Sequence, residues 1–270
     1  MLKGYTVPLT PRGEANLVSA PPWHYSGDVI AIEFWAAPEV ARASLPPGLT
    51  LDEAAKGHTL ALFADWQFTA QNDEHLDPAR YQYREFYLMI DALYGDTPVS
   101  WCPFMFVDND SAMVRGLTLG CPKKLGSVFQ TRTFAAPGPA AAPVASGTKF
   151  GVSVSAHGQR LADGRVTLHR PLSRPPTILQ RPIVNRRYFP RLTTGYHDQP
   201  AVDELTMVVT DNLSLIDVWA GSAELVFPDA HGEELCAFEP KRVGSGYRLS
   251  VSCSIRDLKI LEDFTATKGS

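Results

Sequence analysis

Two adjacent lysines, Lys123 and Lys124, stand in the segment GCPKKLG at residues 120–126. A lysine pair is most often a solvated surface feature, because lysines are almost never fully buried. Three features of this segment oppose that reading: its proline and second glycine indicate a defined turn, its flanks are apolar, and Arg115 adds a cation nearby in sequence. We therefore interpret the pair as part of an apolar pocket rather than a loose surface loop.

A lysine in such a pocket could form a Schiff base with a ketone or a 2-oxo acid. Only the neutral amine attacks a carbonyl, and an ordinary lysine with a pKa of about 10.4 leaves roughly one molecule in 2,500 neutral at pH 7. Burial and a neighbouring positive charge both disfavour the ammonium form. Lowering a lysine pKa by about 3–4 units corresponds to roughly 4–5 kcal/mol. A large folded core can supply that free energy, whereas a surface loop cannot.

The elements that must position this segment are mainly short strands. Apolar runs bounded by turn residues predict strands at 28–35, 59–68, 81–93, 99–107, 127–134, 152–156, 165–169, 205–210, 223–227 and 247–255. A turn is expected at residues 162–164. Pro38 predicts the start of one short helix, and residues 108–110 can cap a second that ends near Gly116 or Gly120. The pattern indicates one α+β domain over residues 1–270, dominated by antiparallel sheet and curled into a barrel-like form.

Other chemistries lack their motifs. The seven histidines show neither HExxH nor a helical i, i+4 pair, so no metal site is expected. Neither GxGxxG nor GxSxG occurs, which argues against dinucleotide binding and α/β-hydrolase chemistry. The four cysteines are far apart, so we expect neither disulfides nor zinc.

The charge balance and the apolar runs also bear on partners. A net charge of −4 gives no reason to expect nucleic acid or an acidic membrane surface as a partner. The N-terminus lacks the apolar stretch of a secretory signal, and no apolar run approaches the roughly 18 residues needed to cross a bilayer. These features predict a soluble cytoplasmic protein.

Residues 120–126 resemble the signature of the acetoacetate decarboxylase-like superfamily, in which the first lysine of PKKLG forms the Schiff base. The similarity extends to residues 107–110, to the strand that holds Glu85 and to residues 28–51, roughly half of the chain. It implies a β-rich fold with a closed, cone-like barrel around the pocket, usually in a homo-oligomer.

The resemblance also implies roles for single residues. Lys123 matches the Schiff-base lysine, Lys124 its cationic neighbour and Glu85 the active-site glutamate. Tyr83 lies two residues before Glu85, so both side chains face the same side of a strand. We expect Tyr83 to donate a hydrogen bond that orients substrate or water. Leu119 stands four residues before the lysine, where some branches carry a glutamine.

The chain departs from the true decarboxylases at two positions. They carry an arginine on the first strand, where this chain has Gly27, and an acidic residue on the next, where it has Ala64 or, after a shift, Asp65. Other branches keep the lysine but act as pyruvate aldolase-dehydratases or hydratases. The missing arginine and the Tyr83-x-Glu85 pair favour those branches.

The hypothesis from sequence is therefore a Schiff-base lyase that acts on 2-oxo acids. Arg115 and Leu119 are expected to tune or line the pocket, and Tyr247 to close it. No metal or organic cofactor is required, because the iminium supplies the electrophile, and a small keto acid is the expected partner. Two alternatives stay open: decarboxylation of a 3-oxo acid by the same lysine, and a non-catalytic barrel that binds small ligands.

Overall fold

The computed structural model describes residues 1–266. The strands are β1 (Trp23–Trp35), β2 (Thr50–Leu51), β3 (His58–Thr69), β4 (Gln82–Tyr94), β5 (Thr97–Trp101), β6 (Met105–Val107), β7 (Lys123–Leu125), β8 (Ser127–Gln130), β9 (Lys149–Ala156), β10 (Gln159–Pro171), β11 (Ile183–Phe189), β12 (Val202–Val226) and β13 (Arg242–Asp263). The helices are α1 (Pro38–Ala43), α2 (Pro78–Tyr81) and α3 (Asp110–Leu119), with 3-10 turns at Glu74–Leu76, Thr177–Gln180 and Leu235–Phe238. The domain predicted over 1–270 includes residues 267–270, which lie outside the described residues.

Seven strands close into a ring. They are neighbours in the order β11, β5, β4, β3, β1, β13 and β12, and β12 pairs again with β11. β10, β9 and β8 continue the sheet beyond β12, while β6 pairs with β4 and β7. The β11–β5 and β6–β7 pairs are parallel, and the other pairs are antiparallel. The predicted fold class, a mainly antiparallel α+β protein with a barrel-like sheet, is confirmed.

The two faces of the ring bury separate apolar cores. Side chains alternate along β1, so Val29 and Ala31 join the inner core while Ile30 and Ile32 join the outer one. Strands β8, β9 and β10 cover the outer core with residues such as Phe150. The inner core lines a cavity. No helix within residues 1–266 has the length and apolar character that crossing a membrane requires.

The strand predicted at 99–107 is wrong as a single element. The structure divides it into β5 and β6, with residues 102–104 between them outside any strand. Pro103 stands in this break, and a proline has no N–H to donate to a sheet. The break matters for the site because β6 pairs with β7, the strand that carries Lys123.

The turn predicted at 162–164 is also misplaced. It lies at His157 and Gly158, whose φ angles of +50° and +77° suit a two-residue hairpin turn. Gly164 lies inside β10, where an added Cβ would meet the Ile32 side chain at 2.8 Å. Close packing, rather than a turn, explains that glycine.

The strands predicted at 205–210 and 223–227 are parts of one strand. β12 runs for 25 residues, and its first half pairs with β11 while its second half pairs with β10. Its register against β13 shifts between Asp211 and Ser214 and again between Ile216 and Trp219. Asn212 and Asp217 in this stretch have φ angles of +52° and +51°, and such residues are typical of turns, which explains why the sequence suggested an interruption.

Candidate active site

Helix α3 and the turn after it deliver the lysine. The Asn109 side chain caps the helix by accepting a hydrogen bond of 2.8 Å from the backbone N–H of Ala112. Gly120 ends the helix with φ of +89°, a conformation that favours glycine. The chain then enters β7, which begins at Lys123 and pairs in parallel with β6. The capping role predicted for residues 108–110 is thus performed by Asn109.

The amine of Lys123 is buried against a carboxylate. Its Nζ lies 2.6 Å from Oε1 of Glu85, and the two side chains are only 7% and 8% exposed. The same Nζ donates a hydrogen bond of 3.1 Å to the backbone oxygen of Ala112 and lies 5.7 Å from the ring centre of Tyr83. The structure thus brings the predicted nucleophile, glutamate and tyrosine together.

Gly116 makes room for this lysine. A Cβ at position 116 would lie 2.2 Å from Cδ and 2.3 Å from Cε of Lys123, so the lysine side chain runs directly over the helix backbone. Glycine inside a helix costs about 1 kcal/mol relative to alanine. The path of the Lys123 side chain explains why glycine stands at position 116 despite that cost.

The second oxygen of Glu85 is held by an indole. Trp66 donates a hydrogen bond of 3.1 Å from Nε1 to Oε2 of Glu85. Trp66 lies directly across the β1–β3 pair from Gly27. A Cβ on Gly27 would come within 2.6 Å of the indole and 2.3 Å of the Asp65 carbonyl oxygen. The indole therefore packs over the position where the decarboxylases are expected to carry an arginine.

Arg115 is a buried cation behind the site. It is 2% exposed, and its guanidinium carbon lies 3.7 Å from the ring centre of Phe68, 5.3 Å from that of Tyr83 and 5.6 Å from that of Tyr25. Its Nε and Nη1 have no hydrogen-bond partner among the described residues. Aromatic faces stabilise such a cation, and its charge also balances that of Glu85.

Three tyrosines keep their protons at neutral pH. Burial, reinforced by the charge of Glu85, raises the pKa of Tyr83 and of Tyr87 well above its usual range. Burial likewise raises the pKa of Tyr25, although the charge of Arg115 opposes this. Each of these hydroxyls can therefore donate a hydrogen bond to a substrate oxygen.

These groups open onto a cavity of about 300 Å³ inside the ring. Its walls are mostly apolar and come from β1, β3, β4, β6, β12 and β13, from residues 179–183 and from the residues around the lysine: Tyr25, Val29, Leu62, Trp66, Tyr83, Glu85, Tyr87, Met89, Met105, Leu119, Cys121, Lys123, Leu179, Gln180, Arg181, Pro182, Ile183, Val208, Thr210, Leu213, Leu215, Leu249, Val251, Cys253 and Ile255. Burial raises the pKa of Cys121 to about 11 and that of Cys253 to about 11 as well. Both thiols are therefore neutral wall groups at pH 7.

Leu119 lines the cavity as predicted, but two other predicted residues lie elsewhere. Lys124 follows Lys123 in β7, so its side chain points to the opposite face. Its Nζ contacts Oε1 of Glu233 at 2.5 Å and lies over the Phe106 ring. The predicted cationic neighbour is therefore not beside the Lys123 amine, and Arg115 is the cation buried near the site.

Tyr247 shares the inner face but lies beyond the cavity. One residue, Arg248, separates it from Leu249, which does line the cavity. Burial and the Glu33 carboxylate raise the pKa of Tyr247 to about 12. Tyr247 thus lies beside Glu33 rather than beside Lys123. The structure does not place it where it would close the site.

Sequence reasoning missed Trp66, Gly116 and Arg181. The sequence offered Gly116 as one possible end of the helix, but α3 continues to Leu119, so this glycine lies inside a helix, where glycine is disfavoured. No comparable signal identified the indole or Arg181, since both reach the site through cross-strand and loop contacts. Within residues 1–266, no three His, Cys, Asp or Glu side chains gather in a way that could hold a metal ion.

A closed β-ring that holds a buried lysine–glutamate contact in the wall of an apolar cavity is the architecture of an enzyme for a small organic molecule. The chain belongs to the acetoacetate decarboxylase family, because the model of that family, "Acetoacetate decarboxylase (ADC)", matches residues 6–264. Among curated proteins, no sequence matches the chain.

Several solved structures share this fold. The enduracididine biosynthesis enzyme MppR complexed with pyruvate is 32% identical, with a TM-score of 0.90 and coverage of 98% of this chain and 99% of that one. MppR complexed with the condensation product of pyruvate and imidazole 4-carboxaldehyde is 32% identical, with a TM-score of 0.91 and coverage of 98% of both chains. An acetoacetate decarboxylase-like enzyme from Sphingomonas wittichii RW1 is 27% identical, with a TM-score of 0.85 and coverage of 97% and 100%.

Proposed function

We propose that the protein is a lysine-dependent lyase that joins pyruvate, or a related 2-oxo acid, to an aldehyde and then removes water. The observation that carries the proposal is the 2.6 Å contact between the Lys123 amine and Glu85 in the wall of an apolar cavity. The similarity to MppR supports it, because that protein has been solved with pyruvate and with a pyruvate–aldehyde condensation product.

The reaction begins with the amine. Neutral Lys123 attacks C2 of the keto acid, and loss of water leaves an iminium that draws electrons from C3. Glu85 is in contact with this amine and can accept the proton that the ammonium form must release. The hydrogen bond from Trp66 fixes one carboxylate oxygen and leaves the other directed at the lysine.

Carbon–carbon bond formation follows from the iminium. Glu85 removes a proton from C3, which gives an enamine, and the enamine carbon adds to the aldehyde carbon while the aldehyde oxygen takes up a proton. Loss of that hydroxyl as water makes a conjugated iminium. Hydrolysis then releases the unsaturated 2-oxo acid and restores the amine, so that one keto acid and one aldehyde give one product and one water.

The tyrosine hydroxyls hold the carboxylate of the keto acid. Tyr83, Tyr25 and Tyr87 all line the cavity, and the raised pKa of each keeps its hydroxyl a donor. A carboxylate next to the iminium also compensates its positive charge. Arg115 lies behind two of these rings and fixes their positions by stacking.

Decarboxylation of a 3-oxo acid is the rival activity for the same lysine. The resemblance implies an arginine on the first strand of true decarboxylases, and here the Trp66 indole packs over Gly27 at that position. The site therefore has no arginine at the position of Gly27, and this difference favours the 2-oxo-acid reaction.

Borohydride trapping tests the proposal directly. The purified protein is reduced with sodium borohydride in the presence of pyruvate, and the adduct is located by peptide mass spectrometry. We expect a pyruvate-dependent adduct on Lys123, none in Lys123→Met, and wild-type trapping in the matched control Lys124→Met, whose amine faces Glu233.

The outcomes separate the three candidates. Adduct formation with pyruvate, together with product from pyruvate plus an aldehyde, supports the lyase. Release of carbon dioxide from acetoacetate at a higher kcat/KM than any pyruvate reaction would favour the decarboxylase instead. Absence of an adduct with every 2-oxo and 3-oxo acid tried would support a non-catalytic binding protein.

A further inference from the structure

The walls of the cavity differ in polarity. The groups around Lys123 donate protons or carry charge, while the walls from β12 and β13 are mainly aliphatic, with residues such as Leu215, Leu249 and Val251. The keto acid needs the groups around Lys123, because its carbonyl must reach the amine. The other reactant is therefore left the aliphatic walls.

The charges that line the cavity are already paired. Among the described lining residues only Glu85, Lys123 and Arg181 are charged. The first two contact each other, and Arg181 lies 3.2 Å from Asp91 and 3.5 Å from Asp52. A charged group on the second reactant would lose its hydration and gain no free counter-charge, which is costly in an apolar pocket.

The volume of the cavity suits a second reactant of about one ring. An apolar cavity of roughly 150 Å³ binds benzene, so a cavity of about 300 Å³ can hold a three-carbon keto acid and a group of that size. Met89 and Met105 line the same space with polarisable sulfur, which packs well against aromatic rings.

We infer that the second substrate is an uncharged apolar aldehyde carrying a single aromatic ring or a group of similar size. This inference rests on the proposed function and adds the class of aldehyde. The enamine carbon attacks the aldehyde carbon as described above, and the product is a 2-oxo-3-enoic acid that carries the apolar group on C4. The released water contains the aldehyde oxygen.

A set of three aldehydes of matched shape tests the inference. Benzaldehyde, 4-nitrobenzaldehyde and 4-formylbenzoate are compared with pyruvate held constant, and the conjugated product is followed by absorbance and mass spectrometry. The nitro and carboxylate groups have the same shape, but only the carboxylate is charged. We expect kcat/KM for both neutral aldehydes to exceed that for 4-formylbenzoate by at least about 100-fold.

A variant that adds a charge to the apolar wall sharpens the test. Leu215→Lys places an ammonium at a partly exposed wall position, and we expect it to raise kcat/KM for 4-formylbenzoate at least about tenfold while lowering that for benzaldehyde. Ile260→Lys is the control, because Ile260 is exposed on β13 and does not line the cavity. It should leave both values within about twofold of wild type.

Two failures are distinguishable. If pyruvate is trapped on Lys123 and the charged aldehyde reacts as well as its nitro counterpart, the apolar selectivity is wrong while the lyase stands. If pyruvate gives no adduct on Lys123, the proposed function is wrong and the inference falls with it.

Discussion

Two groups of buried charges lie on the inner face of the same ring, and they differ in what surrounds them. The site cluster consists of Lys123, Glu85 and Arg115. The closed cluster consists of His58, Glu33, Asp91 and Arg181, in which His58 Nδ1 lies 3.0 Å from Asp91, His58 Nε2 lies 3.5 Å from Glu33, and Arg181 joins Asp91 at 3.2 Å. Both combine cations and carboxylates at similar distances.

The difference is space. In the site cluster both Lys123 and Glu85 line the cavity, whereas in the closed cluster only Arg181 does, and it lies against Asp91 and Asp52. Two carboxylates flank the imidazole of His58, and the Trp35 ring packs on it with ring centres 4.8 Å apart. Buried charged side chains that pack against one another stabilise a fold, whereas charged side chains that line a cavity can act on a ligand. Variants in the two clusters should therefore separate activity from stability.

Of the variants considered, Glu85→Gln should give the largest effect, and that effect should be a loss of activity. Loss of the carboxylate removes the proposed base at C3, and a positioned acid–base group contributes about 10²–10⁴-fold to a rate. Exchange of the methyl protons of pyruvate with deuterium oxide, followed by NMR, reports this step alone. The matched control is Glu233→Gln, which alters the partner of Lys124 instead. Exchange by Glu85→Gln within fivefold of wild type would contradict the assignment.

Asp91→Asn should act on stability instead. It removes one of the two carboxylates that pair with His58 and one of the two that pair with Arg181, and breaking a buried ion pair costs about 3 kcal/mol. Urea unfolding measures this loss, while deuterium exchange of pyruvate below the unfolding range should stay near the wild-type rate. Asp211→Asn is the control because its pair with Arg256 is exposed, and exposed pairs contribute about 0–1 kcal/mol. An Asp91→Asn protein of wild-type stability would overturn the contrast.

Gly116→Ala should reduce activity with little change in stability. The new Cβ would collide with Cδ and Cε of Lys123, and a displacement of about 1 Å at a reacting group can cost about 100-fold in rate. Alanine is the better helix former, so the helix itself should not weaken. Borohydride trapping rates and thermal unfolding measure the two effects separately. Leu117→Ala, on the partly exposed side of the same helix, should trap pyruvate like wild type.

The smallest predicted effect is a pH dependence of stability in the closed cluster. Burial opposes the charge on His58, but its hydrogen bonds to Asp91 and Glu33 outweigh burial and raise the pKa of His58 to about 9. Because the folded value exceeds the unfolded one, its contribution is complete below about pH 6.5 and is lost as pH rises through about 9. We expect His58→Gln to cost about 1–2 kcal/mol at pH 6, after allowance for partial exposure.

The difference in unfolding free energy between wild type and His58→Gln should shrink toward zero by pH 10. Urea titrations of both proteins at a series of pH values measure it. A difference that stayed constant across the series would show that His58 contributes through packing rather than through its charge.

The sequence was informative where local pattern and local structure agree. Apolar runs located β1, β3 and β4, and the segment of residues 120–126 identified Lys123 together with the family. The resemblance also identified Glu85, which no pattern in its strand would mark as special. These are features that neighbouring residues determine.

The failures concern features that distant residues determine. An Asp-Gly pair usually marks a turn, but packing against Ile32 placed Gly164 inside a strand. Adjacent lysines looked alike in sequence, yet the alternation of a short strand sent Lys124 to the other face. Trp66 reaches Glu85 from a neighbouring strand, and the ring that brings them together cannot be read from either segment alone.

The shifts of register within β12 have a consequence for how this enzyme can vary. One strand serves both the cavity wall and the outer sheet, and an uncorrected shift of one residue would turn every following side chain to the wrong face. The irregular stretch between Asp211 and Trp219 absorbs such shifts, because pairing with β13 resumes on either side of it. Insertions or deletions there can reshape the cavity wall that Leu213 and Leu215 form while both flanking registers persist, so the choice of ligand can change without a new fold.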